Sequence, residues 1–223
     1  MEEKLTGGRV TRGIVRIGNT VRRPKPSNLA LQAALLKHLE EKGVSAAPRV
    51  LGIDEKGRFT LEYLEGDSPD DLGHFTDEAC TAAARIIRIL HDALWDLPDI
   101  PKGSTVCHGD LSPCNFIFRG GSPYAVIDWD AAHAGDPLTD LAYAIWLWLD
   151  AGNPEVSPPD FRRREIAMLD AYGLDASACP LIKEKMIAEA LRLSKSVFPS
   201  PEQTRVTGKW ARSCADWIRK NAY

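Results

Sequence analysis

Two apolar runs, "FIF" and "YAVI", flank the turn "RGGSP" between residues 116 and 127. This pattern reads as a tight antiparallel hairpin, and it constrains the fold more than any other stretch. Asn115 immediately precedes it and Asp128 immediately follows it. Such a hairpin returns its two ends to the same edge, so these side chains are expected side by side. A carboxylate at the end of an apolar strand is costly unless something cationic pairs with it. An amide oxygen and a carboxylate brought together suit Mg²⁺, a hard ion that keeps waters and shares phosphate oxygens. Asp110, within "HGDLSPCN", would then face the reactive side of that ion.

The rest of the chain frames this unit. "GIVRIGNTVRRP" carries two short β-branched runs around Gly18-Asn19, a hairpin signal closed by Pro24 and Pro26. "SNLALQAALLKHLEEKG" predicts a helix with Ser27 as N-cap, Gly43 as its stop and Leu31, Leu35 and Leu39 on one face. "PRVLGID" and "RFTLEYLEG", joined at Lys56-Gly57, predict a second hairpin, giving a β-β-α-β-β start. From Gly66 the chain becomes acidic and turn-rich, "GDSPDDLGHF", which makes residues 1–65 and 66–223 the expected division. Beyond it Thr76 is a predicted N-cap, with Asp77 and Glu78 suiting the helix dipole and Ile86, Ile87, Leu90 and Leu94 forming the buried stripe. "DPLTDLAYAIWLWLD" is apolar nearly all round and predicts a core helix. Helices follow to the end, the last carrying Val206, Trp210, Cys214 and Trp217 at helical spacing, read as core packing.

Composition excludes several classes of function. A net charge of −3 argues against a nucleic-acid partner, which needs a basic surface. The charge is uneven: residues 1–26 hold seven Lys/Arg against two Glu, and residues 59–84 hold seven Asp/Glu with no Lys or Arg. Solvated faces are the ordinary reading of such runs. The five cysteines show no CxxC spacing, so neither a disulfide framework nor a zinc site is indicated. The start "MEEKLTGGRV" lacks the apolar region of a signal peptide. The longest apolar run, "LAYAIWLWL", is about half of a membrane span, so no membrane partner is expected and a cytoplasmic setting is the default.

Asp110, Asn115 and Asp128 follow the protein-kinase spacing D-L-x-x-x-N with a strand-borne Asp, Gly109 standing where those kinases have Arg. "HGDLxxxN" together with "DWDxAxxGDPxxDLA" resembles the aminoglycoside phosphotransferase and choline kinase-like family, small-molecule kinases with a protein-kinase-like fold. The resemblance implies an α+β, two-lobed architecture: a small antiparallel-sheet N-lobe with one helix, and a mainly helical C-lobe. It further implies ATP and Mg²⁺ as cofactors and transfer of the γ-phosphoryl group to a hydroxyl of a small molecule, such as an amino sugar or amino alcohol. Asp110 would be the catalytic base, Asn115 and Asp128 the metal ligands, and the Glu62, Tyr63 and Leu64 backbone the hinge that meets adenine. Asp130 would assist the metal or brace the loop, His108 and Asp140 would fix the loop by hydrogen bonds, and His133 is expected as an exposed turn residue.

On the N-terminal side the sequence departs from the family. "LTGGRVTRG" stands where a glycine loop would cover the phosphates. The family's third-strand lysine is replaced in "TVRRP", where period-two alternation puts Val21 and Arg23 on one face and makes Arg23 the candidate phosphate ligand. Gln32 falls where the helix glutamate is expected, so the usual ion pair is broken. That departure motivates a second reading, a nucleotide-binding pseudokinase or regulatory module without turnover. A third, a metal hydrolase using His108, Asp110, Asp128 and Asp130 around a metal-bound water, lacks a nitrogen-ligand motif.

Overall fold

A computed structural model describes residues 2–5, 13–72, 74–95 and 97–222. Residues 6–12, which carry Gly7-Gly8 of the expected phosphate-covering loop, lie outside the described residues.

The β-rich start forms a five-stranded antiparallel sheet of order β1-β2-β3-β5-β4. Its strands are β1 (Glu3–Lys4), β2 (Val15–Ile17), β3 (Thr20–Arg23), β4 (Val50–Ile53) and β5 (Phe59–Glu62). β3 pairs with β5 in the register Val21↔Leu61 and Arg23↔Phe59, so these four share a face. Helix α1 (Leu29–Glu41) lays Leu35, Leu36 and Leu39 into the core with Phe59 and Leu61. Each such fully buried leucine is worth about 1.5–3 kcal/mol.

One expectation is corrected at the start of α1. Its N-cap is Asn28, not Ser27, and Asn28 makes no side-chain cap bond. The physical reason is competition: its Oδ1 accepts from Gln32 Nε2 at 2.8 Å, and its Nδ2 is turned to another loop, described below.

Helix α2 (Asp77–Leu94) begins as the sequence indicates, with Thr76 Oγ1 accepting from the Ala79 N–H at 3.2 Å. Ile86, Ile87, Leu90 and Leu94 are buried on it. Strand β6 (Thr105–Cys107) pairs antiparallel with β9 (His133–Gly135), a contact that no sequence signal foretold. Between them β7 (Phe116–Arg119) and β8 (Ser122–Val126) make the expected hairpin. Helix α3 (Pro137–Trp148) is buried from Asp140 through Trp148. It packs on α5 (Cys179–Leu193), which packs on α6 (Pro201–Asn221), while α4 (Pro158–Tyr172) lies against α2. Along α6 the expected stripe holds only in part. Cys214 is buried, Trp210 stacks on Trp146 at 5.3 Å and Trp217 meets Phe161 edge-on, but Val206 is half exposed because the buried face of α6 runs through Gly208, Ala211, Ala215 and Ile218. The cysteines described are all free. Among the described residues no helix is long and apolar enough to cross a membrane.

Candidate active site

Strand β6 delivers the chain into the loop that carries Asp110, and three buried groups hold that loop. Asp140, on α3, is 3% exposed; its Oδ2 accepts from the His108 N–H at 2.7 Å and its Oδ1 from the Gly109 N–H at 2.9 Å. His91 Nε2 lies 3.1 Å from the same Oδ2. Burial alone would push the Asp140 carboxyl up, but the His91 hydrogen bond, the His91 and His108 rings and the Gly109 amide outweigh it and hold it below the usual range. His108 receives the Asp110 N–H on Nδ1 at 3.2 Å, which makes Nε2 the protonated nitrogen that donates to the Ile127 carbonyl at 3.0 Å. The loop bonding expected of His108 and Asp140 is thus what the geometry contains. Gly109 has φ +79°, and a Cβ there would come within 2.5 Å of the Ala131 carbonyl oxygen. No L side chain fits, which explains why the arginine of protein kinases has no place in this loop.

Asp110 is held from the other side by a residue that the sequence did not single out. Tyr143, three residues after Asp140 on α3, donates its hydroxyl to Asp110 Oδ1 at 3.0 Å. Burial, with the Asp110 charge beside it, raises the Tyr143 hydroxyl well above its ordinary range, so it stays a donor. Further along, Trp148 Nε1 donates to the Leu111 carbonyl at 3.2 Å.

The hairpin does what its spacing implies. Asn115 closes a 3-10 turn (Pro113–Asn115), and its carbonyl accepts from the Ile127 N–H at 2.8 Å. With Phe116 opposite Val126, this places Asn115 and Asp128 at one end of the ribbon. Asn115 Nδ2 donates to the Asp110 carbonyl at 2.8 Å, leaving its Oδ1 as the atom suited to a cation. Asp128 sits in the left-handed region at φ 64°, ψ 67°, a conformation that Asp tolerates but that costs energy and gathers at functional sites. Among the described residues no group of three or more His, Cys, Asp or Glu is arranged to hold a metal ion. An amide oxygen and a carboxylate are nevertheless a donor pair that Mg²⁺ takes where substrate phosphates complete its shell.

Arg23 enters from the sheet and is 4% exposed, on the inward face that alternation predicts, while Arg22 turns to Asp54 at 3.3 Å. Its Nη1 meets Asp128 Oδ1 at 3.1 Å and its Nη2 pairs with Asp130 Oδ2. Gln32, 1% exposed, donates from Nε2 to Asp130 Oδ1 at 2.8 Å. Asn28 Nδ2 reaches the Asp130 carbonyl at 3.1 Å, near those of Trp129 and Ala132. His133 is exposed, as expected of a turn residue.

At the end of β5 the N–H groups of Glu62 and Tyr63 are spent on the Arg49 and Asn19 carbonyls, both at 2.9 Å. A base meeting this segment would use its carbonyls or the Leu64 amide. Glu62 is also gripped by Arg49 at 3.0 Å, which lowers its carboxyl pKa. Arg16, opposite Val21 on β2, stacks its guanidinium 3.7 Å above the Tyr63 ring. A cavity of about 850 Å³ runs along this strand, lined by Arg16, Thr20, Glu62, Tyr63, Leu64 and Tyr124 among others, and does not reach Asp110 or Asp128.

A five-stranded antiparallel sheet over a mainly helical lobe, with an Asp-bearing loop and an Asn/Asp hairpin, is a protein-kinase-like fold. Residues 89–174, which span Asp110, Asn115, Asp128 and Asp140, match the phosphotransferase enzyme family (APH), so the resemblance seen in the motifs is borne out. Over 232 aligned positions the chain is 29% identical to the trifolitoxin immunity protein of Rhizobium leguminosarum bv. trifolii, covering 92% of this chain and 88% of that protein. Among solved structures it is similar to aminoglycoside phosphotransferase APH(4)-Ia, with TM-score 0.63 and 15% identity over 100% of this chain and 94% of that one. It is also similar to a choline/ethanolamine kinase family protein from Mesorhizobium loti, with TM-score 0.56 and 17% identity over 99% and 92%.

Proposed function

We propose that this chain is an ATP- and Mg²⁺-dependent phosphotransferase that moves the γ-phosphoryl group to a hydroxyl of a small molecule, with Asp110 as catalytic base. The observation that carries the reading is the single loop-and-hairpin unit, closed by the 2.8 Å Ile127–Asn115 bond, which presents Asp110, Asn115 and Asp128 together. The match over residues 89–174 supports it. Mg-ATP, when bound, supplies the phosphoryl group and a cation that neutralises its charge. Asn115 Oδ1 and the Asp128 carboxylate hold that cation, Arg23 meets the phosphates and the Glu62–Leu64 backbone meets the base. With Oδ1 of Asp110 fixed by Tyr143, Oδ2 is the oxygen that orients the acceptor hydroxyl and takes its proton. Phosphoryl transfer is mostly alignment and charge neutralisation, which these residues provide. The nucleotide lies between residues 1–65 and 66–223, and a cytoplasmic setting supplies it.

For the acceptor, two similarities point the same way. One relative is an immunity protein, and structural neighbours were solved with gentamicin or with AMP-PNP and hygromycin B. Amino sugars and toxins of that kind are therefore the first acceptors to test. Asp110→Asn is expected to abolish phosphoryl transfer to such a panel while Mg-ATP still raises the melting temperature. Full activity in that variant refutes the role of Asp110.

One observation favours binding without turnover: the usual lysine and helix glutamate are absent, with Arg23 and Gln32 in their places. Stabilisation by Mg-ATP with no turnover of any acceptor would support that regulatory reading.

A further inference from the structure

Kinases of this architecture need a carboxylate to hold the phosphate-binding cation of β3, ordinarily a glutamate on the helix that follows. Here the helix offers Gln32, which has no charge to give. The structure nonetheless brings a carboxylate to the same place from elsewhere. Asp130 stands between the two residues: Oδ2 takes Arg23 Nη2 and Oδ1 takes Gln32 Nε2 at 2.8 Å. Gln32 has a second partner one turn back in Asn28 Oδ1, and Asn28 Nδ2 grips the Asp130 carbonyl. The first turn of α1 is therefore stitched to the loop after Asp128 by neutral amides, and the negative charge comes from that loop.

We propose that Asp130 is the positioning residue for Arg23, the relocated equivalent of the helix carboxylate, with Gln32 as the amide that aims it. This rests on the phosphotransferase reading above and assigns Asp130 away from the metal. A bidentate guanidinium suits the arrangement. Nη2 is anchored on Asp130, while Nη1 lies on Asp128, where phosphates and their cation would be met on this reading. A lysine would have to make both contacts from its one nitrogen, whereas arginine divides them between two, which gives a physical reason for arginine here. Arg23, Gln32 and Asp130 form one exchange: moving the acid from α1 to the loop leaves the helix position to an amide, which can donate to that acid where a second carboxylate would repel it.

The test is a charge-relocation cycle read by equilibrium binding of Mg-ATP and by the separate effects on KM and kcat. Asp130→Asn is expected to weaken Mg-ATP binding about tenfold and raise the KM for ATP more than it lowers kcat, because a charge-assisted bond to Arg23 is lost. Gln32→Glu alone places two carboxylates together and is also expected to weaken binding. The double variant Asp130→Asn, Gln32→Glu restores the ordinary pairing and is expected to recover binding to within about threefold of wild type. A purely structural role would give no such recovery, and additive losses in a folded double variant overturn the proposal. Wild-type binding retained in Asp130→Asn overturns it too. If the unaltered protein fails to bind Mg-ATP, the phosphotransferase reading falls and this inference falls with it, an outcome distinct from the other two.

Discussion

Among the described residues of the helical lobe two carboxylates are buried, and they are treated in opposite ways. Asp140 on α3 is surrounded by donors: two loop amides and the His91 ring. Glu165 on α4 is 0% exposed, and neither of its oxygens has a hydrogen-bond partner among the described residues. Burial acts on both in the same sense. For Asp140 the donors win and the carboxyl stays ionised. For Glu165 burial wins over the more distant Arg162 and Lys183, and its pKa is pushed up to about 7. The lesson is that burial sets the cost of a charge, while donors decide whether the charge survives. Asp140 uses its charge to shape the loop beside Asp110; Glu165 shapes nothing in the site.

The largest effect expected from breaking this contrast is at Asp140. Asp140→Asn puts an amide against donors and removes the acceptor charge, costing on the order of 3–5 kcal/mol and roughly 10 °C in Tm by thermal denaturation. Because the folded pKa of Asp140 is lowered, its contribution is present above the unfolded value and lost as pH falls through the folded one.

Glu165 has the opposite sign. Its folded pKa is raised, so folding favours the protonated form, and stability falls as pH rises from the unfolded value of about 4.5 through about 7. Glu165→Gln is expected to leave stability at pH 5 nearly unchanged and to add about 2–3 kcal/mol at pH 8. Denaturant titrations at the two pH values check this, and an equal change at both would remove the assigned cause.

The smallest effect is at the edge of the Asp140 cluster. Tyr172 Oη lies 2.8 Å from His91 Nδ1, and Tyr172→Phe should cost about 1 kcal/mol while leaving the loop amides on Asp140. A loss as large as that of Asp140→Asn would mean that the histidine, and not the carboxylate, organises the loop.

What could be read from the sequence was what local rules determine. The Gly18-Asn19 and Lys56-Gly57 turns, the Thr76 cap and the 116–127 hairpin each depend on neighbours in the chain, and the structure contains them. The loop around Asp110 was legible because its residues fall in one dense motif. Three features were hidden, each for its own reason. Gln32 and Asp130 are 98 positions apart, and an uncharged residue gave no sign that a carboxylate would come to it. Tyr143 sits in a helix so uniformly apolar that its hydroxyl looked like core. Strands β6 and β9 are three residues each, too short for alternation to show. Ser27 and Val206 each fit a local pattern, but the cap falls on Asn28 and Val206 lies off the buried face of α6.

Helix α3 has a consequence for anyone wishing to move this chemistry to another scaffold. Its residues engage the loop in sequence: Asp140 takes the His108 and Gly109 amides, Tyr143 takes Asp110, and Trp148 takes the Leu111 carbonyl. The helix serves as a template against which the loop is cast: the loop's own bonds, through His108 and Asn115, hold the Asp110 backbone and leave its carboxylate to Tyr143. A graft of residues 106–128 without residues 136–149 would transfer the acids and lose their arrangement; the two segments are one portable part.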